Sequence, residues 1–178
     1  MDSLHLRGLF TFEHWYHGRN IDLCQCHNDV TNEGKSRFLN VGFHGDPNVT
    51  SWWLGIINDS GYSAIAVTDT YRSIGHSNGW SEFIDYTDTN NGDSATTRPL
   101  WVTNAASGQS ITNTTQAIFT TTSISTIRGL FVVGGSANAQ IKGDNFASNS
   151  VLWSTALFDA AYIVYPGSVL RIIYTINA

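Results

Sequence analysis

Residues 168–176 read SVLRIIYTI, and this stretch decides the fold class. From Leu170 onward the apolar side chains alternate: Leu170, Ile172, Tyr174 and Ile176 form one face, and Arg171, Ile173 and Thr175 the other. A period of two places successive side chains on opposite faces of a strand, and β-branched and aromatic residues favour that conformation. Working back from this strand, VLWSTALF (151–158) and AAYIV (160–164) carry the same signature behind a Gly/Asn/Ser-rich excursion at 134–150. IRGLFVV (127–133) is another strand, and the Thr-rich region before it predicts three more at 99–103, 109–113 and 115–122, punctuated by Gly108 and Asn113. SWWLGIIN (51–58) is almost continuously apolar, which predicts a central strand.

The N-terminal third predicts a hairpin from LRGLFTFEHWY (6–16) and NIDLCQCH (20–27) around His17-Gly18-Arg19-Asn20. With Gly18-Arg19 as the two-residue turn, Phe10, Phe12, His14 and Tyr16 share a face with Ile21 and Leu23. Glu13, Trp15, Cys24 and Cys26 then fall on the opposite, half-polar face. One short helix is predicted at 32–42 (NEGKSRFLNVG), capped by Asp29, Thr31 or Asn32, facing the sheet through Phe38, Leu39 and Val41, and ended by Gly42 or Gly45. Residues 63–68 read as strand or helical turn, 69–79 as loop, and Trp80, Phe83 and Tyr86 mark a strand or irregular edge before the polar loop 87–97. About eight to ten short strands with regular turn signals predict an all-β chain, one domain over 1–178. The expected architecture is a β-sandwich, jelly-roll-like, with one short helix, although immunoglobulin-like order fits the same alternation. The final strand is expected to return and pair near the N-terminal hairpin.

Composition bounds the function. Charged residues make up only 13% of the 178, against 42% hydrophobic, with six Trp, seven Tyr and nine Phe. The surface must therefore be built from Ser, Thr, Asn and Gly rather than from charge. The nine basic residues are scattered and the net charge is −5, so no cluster follows a phosphate backbone and nucleic acid is not an expected partner. No apolar run approaches the roughly eighteen residues of a transmembrane helix, and the N-terminus has no secretory pattern, so folding in a cytoplasm and no membrane partner are expected.

Several constellations could carry chemistry. Cys24-x-Cys26-His27 with His14 and His17 holds zinc-type ligands, but the predicted register divides them between two faces. Free, partly buried thiols and no metal are the reading taken. The acidic loop Asp85–Asp93 offers oxygens at 88, 90 and 93 for calcium, yet lacks a closing Glu, so a solvated turn is preferred. Glu82 with Asp85, or Glu13 with Asp22, could be drafted as hydrolytic carboxylate pairs. A Ser/His/acid triad is unconstrained, since no G-x-S-x-G occurs and Ser is abundant. No phosphate-binding loop follows Gly134-Gly135. The expectation is a protein without catalytic residues, metal or cofactor. Adjacent Trp52 and Trp53 cannot both face inward in a regular strand, so Trp53, together with Trp15 and Trp80, is a candidate interface residue. The competing readings are a sugar platform and local cover by a loop.

The runs VTNEGKSRFLNVGFHG (30–45), TSWWLGIINDSGYSAIAVTDT (50–70), SNGWSEFIDYT (77–87) and LWSTALF (152–158), ahead of an apolar last strand, resemble a group of small tailed-bacteriophage virion proteins encoded among head and neck genes. The resemblance implies a capsid cement or decoration protein on the outer surface of the shell, with the major capsid protein as partner. A neck or tail accessory subunit is the alternative, and a carbohydrate-binding module for host attachment is the rival from another class. It also implies that Asn32-Glu33-Gly34-Lys35 starts the helix, that Trp52 and Gly55 belong to a core strand, and that Gly79-Trp80 with Phe83 turns into the next strand. The WW at 52–53 and the two cysteines depart from that pattern, so no metal role comes with it. Self-association is expected, with a homotrimer matching a threefold of an icosahedral shell.

Overall fold

The alternation in the last strand is realised in the computed structural model, which describes residues 6–75 and 79–178. The readings of 1–5 and 76–78 lie outside the described residues. β10 (Val169–Asn177) buries Leu170, Ile172 and Tyr174 completely. It pairs antiparallel with β1 (Arg7–Tyr16) from Arg7↔Asn177 to Trp15↔Val169, so the expected return of the last strand to the N-terminal hairpin is met. The remaining strands are β2 (Arg19–Val30), β3 (Trp52–Asn58), β4 (Ser81–Phe83), β5 (Tyr86–Asp88), β6 (Ser110–Thr112), β7 (Ala117–Thr121), β8 (Ser125–Gly134) and β9 (Val151–Val164). Their order is β4-β3-β8-β9-β2-β1-β10-β7-β5, with β6 also on β10. The end strands β4 and β5 are consecutive in the chain, so the sheet nearly closes into a barrel. The fold is a jelly-roll-like β-sandwich with one short helix: β2, β1, β10, β7 and β5 face β4, β3, β8 and β9.

The hairpin turns one residue earlier than predicted. His17 and Gly18 both have positive φ, 49° and 72°, which builds the turn type that matches strand twist. Moving the turn by one residue shifts the register by two and leaves the faces unchanged; the exchange of faces in the second strand comes from a bulge at Ile21, where Trp15 pairs with Asn20 but His14 with Asp22. Cys24 and Cys26 therefore sit inside, opposite Phe12 and Phe10, while Ile21 and Leu23 point to solvent. β9 is one strand rather than two, because residues 158–161 bulge between Gly129↔Leu157 and Ile127↔Tyr162. Residues 99–103 form no strand of their own; they brace β3 through Leu54 N–H to Pro99 O and Trp101 N–H to Trp52 O, and meet 113–114 through Thr114 N–H to Val102 O. β3 is next to the edge, not central. Residues 63–68 form loop and turn. No helix among the described residues is long and apolar enough to cross a membrane.

The helix α1 (Asn32–Leu39) is docked by its smallest residue. Thr31 caps it, its hydroxyl accepting from Gly34 N–H at 3.0 Å and donating to the Leu152 carbonyl. Gly34 then lies against the backbone of Trp153. Phe38 and Leu39, expected to face the sheet, are instead 40% and 54% exposed. A π-helical turn, Asn40–His44, continues the helix to Gly45, whose φ of 79° ends it.

The molecule has two cores. The first lies between the sheets and contains Phe10, Phe12, Leu54, Ile56, Phe119 and Ile172. The second lies outside β3, β8 and β9, where Trp53, Ile57, Phe131, Val133 and Leu152 meet Tyr71, Ile74 and Trp80.

Gly34→Ala is expected to destabilise by about 1–3 kcal/mol, although Ala is the better helix former. The added Cβ would stand 2.6 Å from the Trp153 carbonyl oxygen. The shift of the urea midpoint at unchanged slope measures this, and an unchanged or raised midpoint would contradict the docking described.

Candidate interaction surface

The folded chain assembles one set of side chains that sequence could not place. His14 Nε2 lies 2.8 Å from Ser168 Oγ, and His14 Nδ1 lies 2.9 Å from Asp22 Oδ2. This is the connectivity of a serine hydrolase triad. Its surroundings give it a different task. Ser168 closes the turn between β9 and β10, where its Oγ accepts the Tyr165 N–H at 3.1 Å. The arrangement that satisfies every atom has Ser168 O–H donating to Nε2 and Nδ1–H donating to Asp22. Ser168 and His14 are both wholly buried, so no substrate carbonyl can reach Oγ in this conformation. The relay ties the β9–β10 turn to the hairpin.

The other ionisable sets are similarly committed. Arg98 is gripped in bidentate fashion by Glu82, Nε to Oε1 at 2.8 Å and Nη2 to Oε2 at 2.7 Å, with both side chains buried. Its remaining N–H groups reach the carbonyls of Ala139 and Asp144. Burial is the largest single influence on Arg98 and would lower its pKa, but the charge and hydrogen bonds of Glu82, together with Tyr86 and Tyr71, raise it overall. Asp85 accepts from Ser123 Oγ at 2.9 Å. Glu13 and Asp22 are separated by the sheet, since Glu13 bonds Trp15 Nε1 on the outer face and Asp22 bonds His14. In the acidic loop, Asp88 accepts from Asn90 N–H and Thr97 Oγ1, and Asn90 Oδ1 accepts from Ile118 N–H at 2.6 Å. Those oxygens hold a turn against β7.

The bulged hairpin puts Cys24, Cys26 and His14 on one face, where the expected register divides them. Both His14 nitrogens are already bonded, His27 points outward, and no three potential ligands converge among the described residues. The cysteines are free, and burial pushes the Cys26 thiol up to about 12.

The three tryptophans singled out as interface candidates have separate fates. Trp53 and Trp80 are 7% and 0% exposed in the second core, covered locally by loops, and Trp80 Nε1 donates to Asp69 at 3.0 Å. Trp15 alone reaches the surface, on the outer face of β2, β1, β10 and β7. Register aligns that face in rows: Leu23, Glu13, Arg171 and Ile118; then Gln25, Thr11 and Ile173; then His27, Leu9, Thr175 and Thr112. Arg171 lies 4.7 Å over the Trp15 ring and opposite Glu13, so the central charges are matched on the face itself. Thr112–Thr175 and Thr89–Thr120 hydroxyl pairs, each at 2.8 Å, stiffen its margin. The opposite sheet carries the second core on its outside, whereas this one has no second layer among the described residues. Leu23, Ile118 and Ile173 were missed from sequence. The available signal was Ile173 on the nominally polar side of the best-alternating strand.

Comparison of the chain with protein-family models, curated proteins and solved structures finds no match.

Arg98→Ala leaves Glu82 buried without its partner, and is expected to cost about 3–5 kcal/mol. Denaturant unfolding measures it, and a loss under 1 kcal/mol would remove the pair from its structural role. Both thiols should resist a disulfide reagent at pH 8 in the native state and react together once urea unfolds the chain. Rapid native labelling of Cys26 would contradict its burial.

Proposed function

We propose that the chain is a structural protein of a tailed-bacteriophage virion, a capsid cement or decoration subunit that binds the major capsid protein lattice and associates with itself. The observation that carries this reading is the outer face of β2, β1, β10 and β7. It is apolar at Leu9, Leu23, Ile118 and Ile173, internally neutral where Arg171 meets Glu13 beside Trp15, and otherwise built of Thr, Gln and His27. Such a face suits shallow lateral contact with a repeated partner. A lattice multiplies modest affinity per contact when several copies are linked. The sequence resemblance in the helix, the WW strand and the LWSTALF strand points the same way.

A sugar platform is less well served. It needs an accessible aromatic face, and Arg171 stacks on Trp15 while Trp53 and Trp80 are buried. A neck or tail accessory subunit would use the same face, and stoichiometry separates it from cement.

The test is the number of copies per major capsid protein in purified virions, by quantitative mass spectrometry. A count on the order of hundreds is expected from a shell lattice. Roughly six to eighteen copies would move the protein to the neck or tail, and absence from virions would overturn the proposal.

A further inference from the structure

One end of the sandwich is floored by three indoles. Trp52 meets Trp153 edge-on at 5.7 Å, Trp153 Nε1 donates to Tyr174 Oη at 2.9 Å, and Trp101 Nε1 donates to Asn113 Oδ1 at 2.7 Å. Above them is a hollow of about 440 Å³, walled by Phe38, Val41 and Ile111. This size is within the range of binding pockets, which run from about 300 to 1,000 Å³. Arg37 borders it, but its guanidinium is turned to Asp46 at 3.3 Å and to the Pro47 carbonyl at 2.9 Å. The hollow therefore calls for an apolar occupant without a charge of its own.

The same end supplies such a group. Phe43 stands on the π-helical turn that continues α1, two residues after wall residue Val41 and five before Asn48, which also lines the hollow. It is 85% exposed, the most exposed large apolar side chain among the described residues. Leu39, Leu100 and Val102, at 54%, 41% and 42%, are further exposed apolar side chains.

We propose that this end binds a second copy of the chain, with Phe43 of one copy seated in the tryptophan-floored hollow of another. Knob and hollow are present on every copy, so each chain can give and receive, as a reciprocal pair or around a ring. Burying an aromatic side chain removes about 150–250 Å² from water, so two knobs and the walls they cover account for roughly 600–1,000 Å². The upper end of that range reaches the roughly 1,000 Å² expected of a specific interface. The proposal rests on the self-association part of the function proposed above and gives it a surface.

Phe43→Ser and Ala106→Trp test it by sedimentation equilibrium. The first removes the knob, and the second, at an exposed position on the hollow's margin, blocks the hole. Neither touches the core, so unchanged circular dichroism and melting are the folding control. The wild type is expected to sediment as two or three copies. Each variant should dissociate with a constant roughly 10- to 100-fold weaker. An equimolar mixture of the two should regain part of the association, because one variant keeps the hollow and the other the knob, which restores one of the two contacts of a reciprocal pair. A wild type still monomeric at about 0.5 mM, an oligomer indifferent to both changes, or a monomer whose hollow takes up an apolar dye would each overturn it. Virion copy number scores the capsid reading separately: a count on the order of hundreds beside a monomeric wild type would sink only the self-association surface.

Discussion

The Arg98 guanidinium, held by both oxygens of Glu82, is the fixed point of the layer outside β3, β8 and β9. Glu82 belongs to β4 and Arg98 to the strap bracing β3, and the carbonyls of Ala139 and Asp144 are drawn in from the long excursion after β8. Glu82 also accepts the Gly143 N–H at 2.6 Å, and Asp144 accepts the Tyr71 hydroxyl at 2.9 Å, which brings in the loop after β3. A buried ion pair is weak support for stability unless its remaining donors and acceptors are satisfied, and here they are. Because two irregular loops can be anchored on that side, Trp53, Trp80 and Phe131 gain a second core. The asymmetry between a doubly covered sheet and a singly covered one follows from it.

Part of this was legible in the amino-acid pattern. The alternation of Leu170, Ile172 and Tyr174 located the last strand, Thr31 was among the expected helix caps, and the apolar run at 51–58 was a strand. The failures have physical causes. His17 adopts a left-handed conformation that favours Gly, so a turn built on it does not stand out from the sequence. The extra residue at Ile21, a bulge that no residue type announces, then moved Cys24 and Cys26 inward and Leu23 outward. The helix docks through Gly34, a residue chosen for having no side chain, and apolar periodicity cannot register an absence. Trp53 and Trp80 are covered by loops without period, so their burial could be weighed from sequence but not decided. The outer face was half visible, since Trp15 was recognised and its neighbours Ile118 and Ile173 lie on strands whose other face is the core.

The ionisable groups teach a related point. Ser168, His14 and Asp22 reproduce the spacing of a hydrolytic triad while serving as a tie between two turns. What distinguishes the two uses is access and the free lone pair on the serine oxygen, neither of which distance alone reports. Here Tyr165 N–H occupies that oxygen and the strands enclose it.

The pairing of β1 with β10 also has a consequence during synthesis. β1 and β2 leave the ribosome first and can form their hairpin at once, but the strand that completes the other edge of β1 is made last. At roughly 5–20 residues per second, the intervening chain takes about seven to thirty seconds to appear. Throughout that interval the nascent hairpin holds Phe10 and Phe12 on an open edge, a template for any other unpaired strand nearby. A protein needed in many copies at one time would have many such edges exposed together. Its yield in the cell would then be governed by translation rate and chaperone supply as much as by the stability of the finished sandwich.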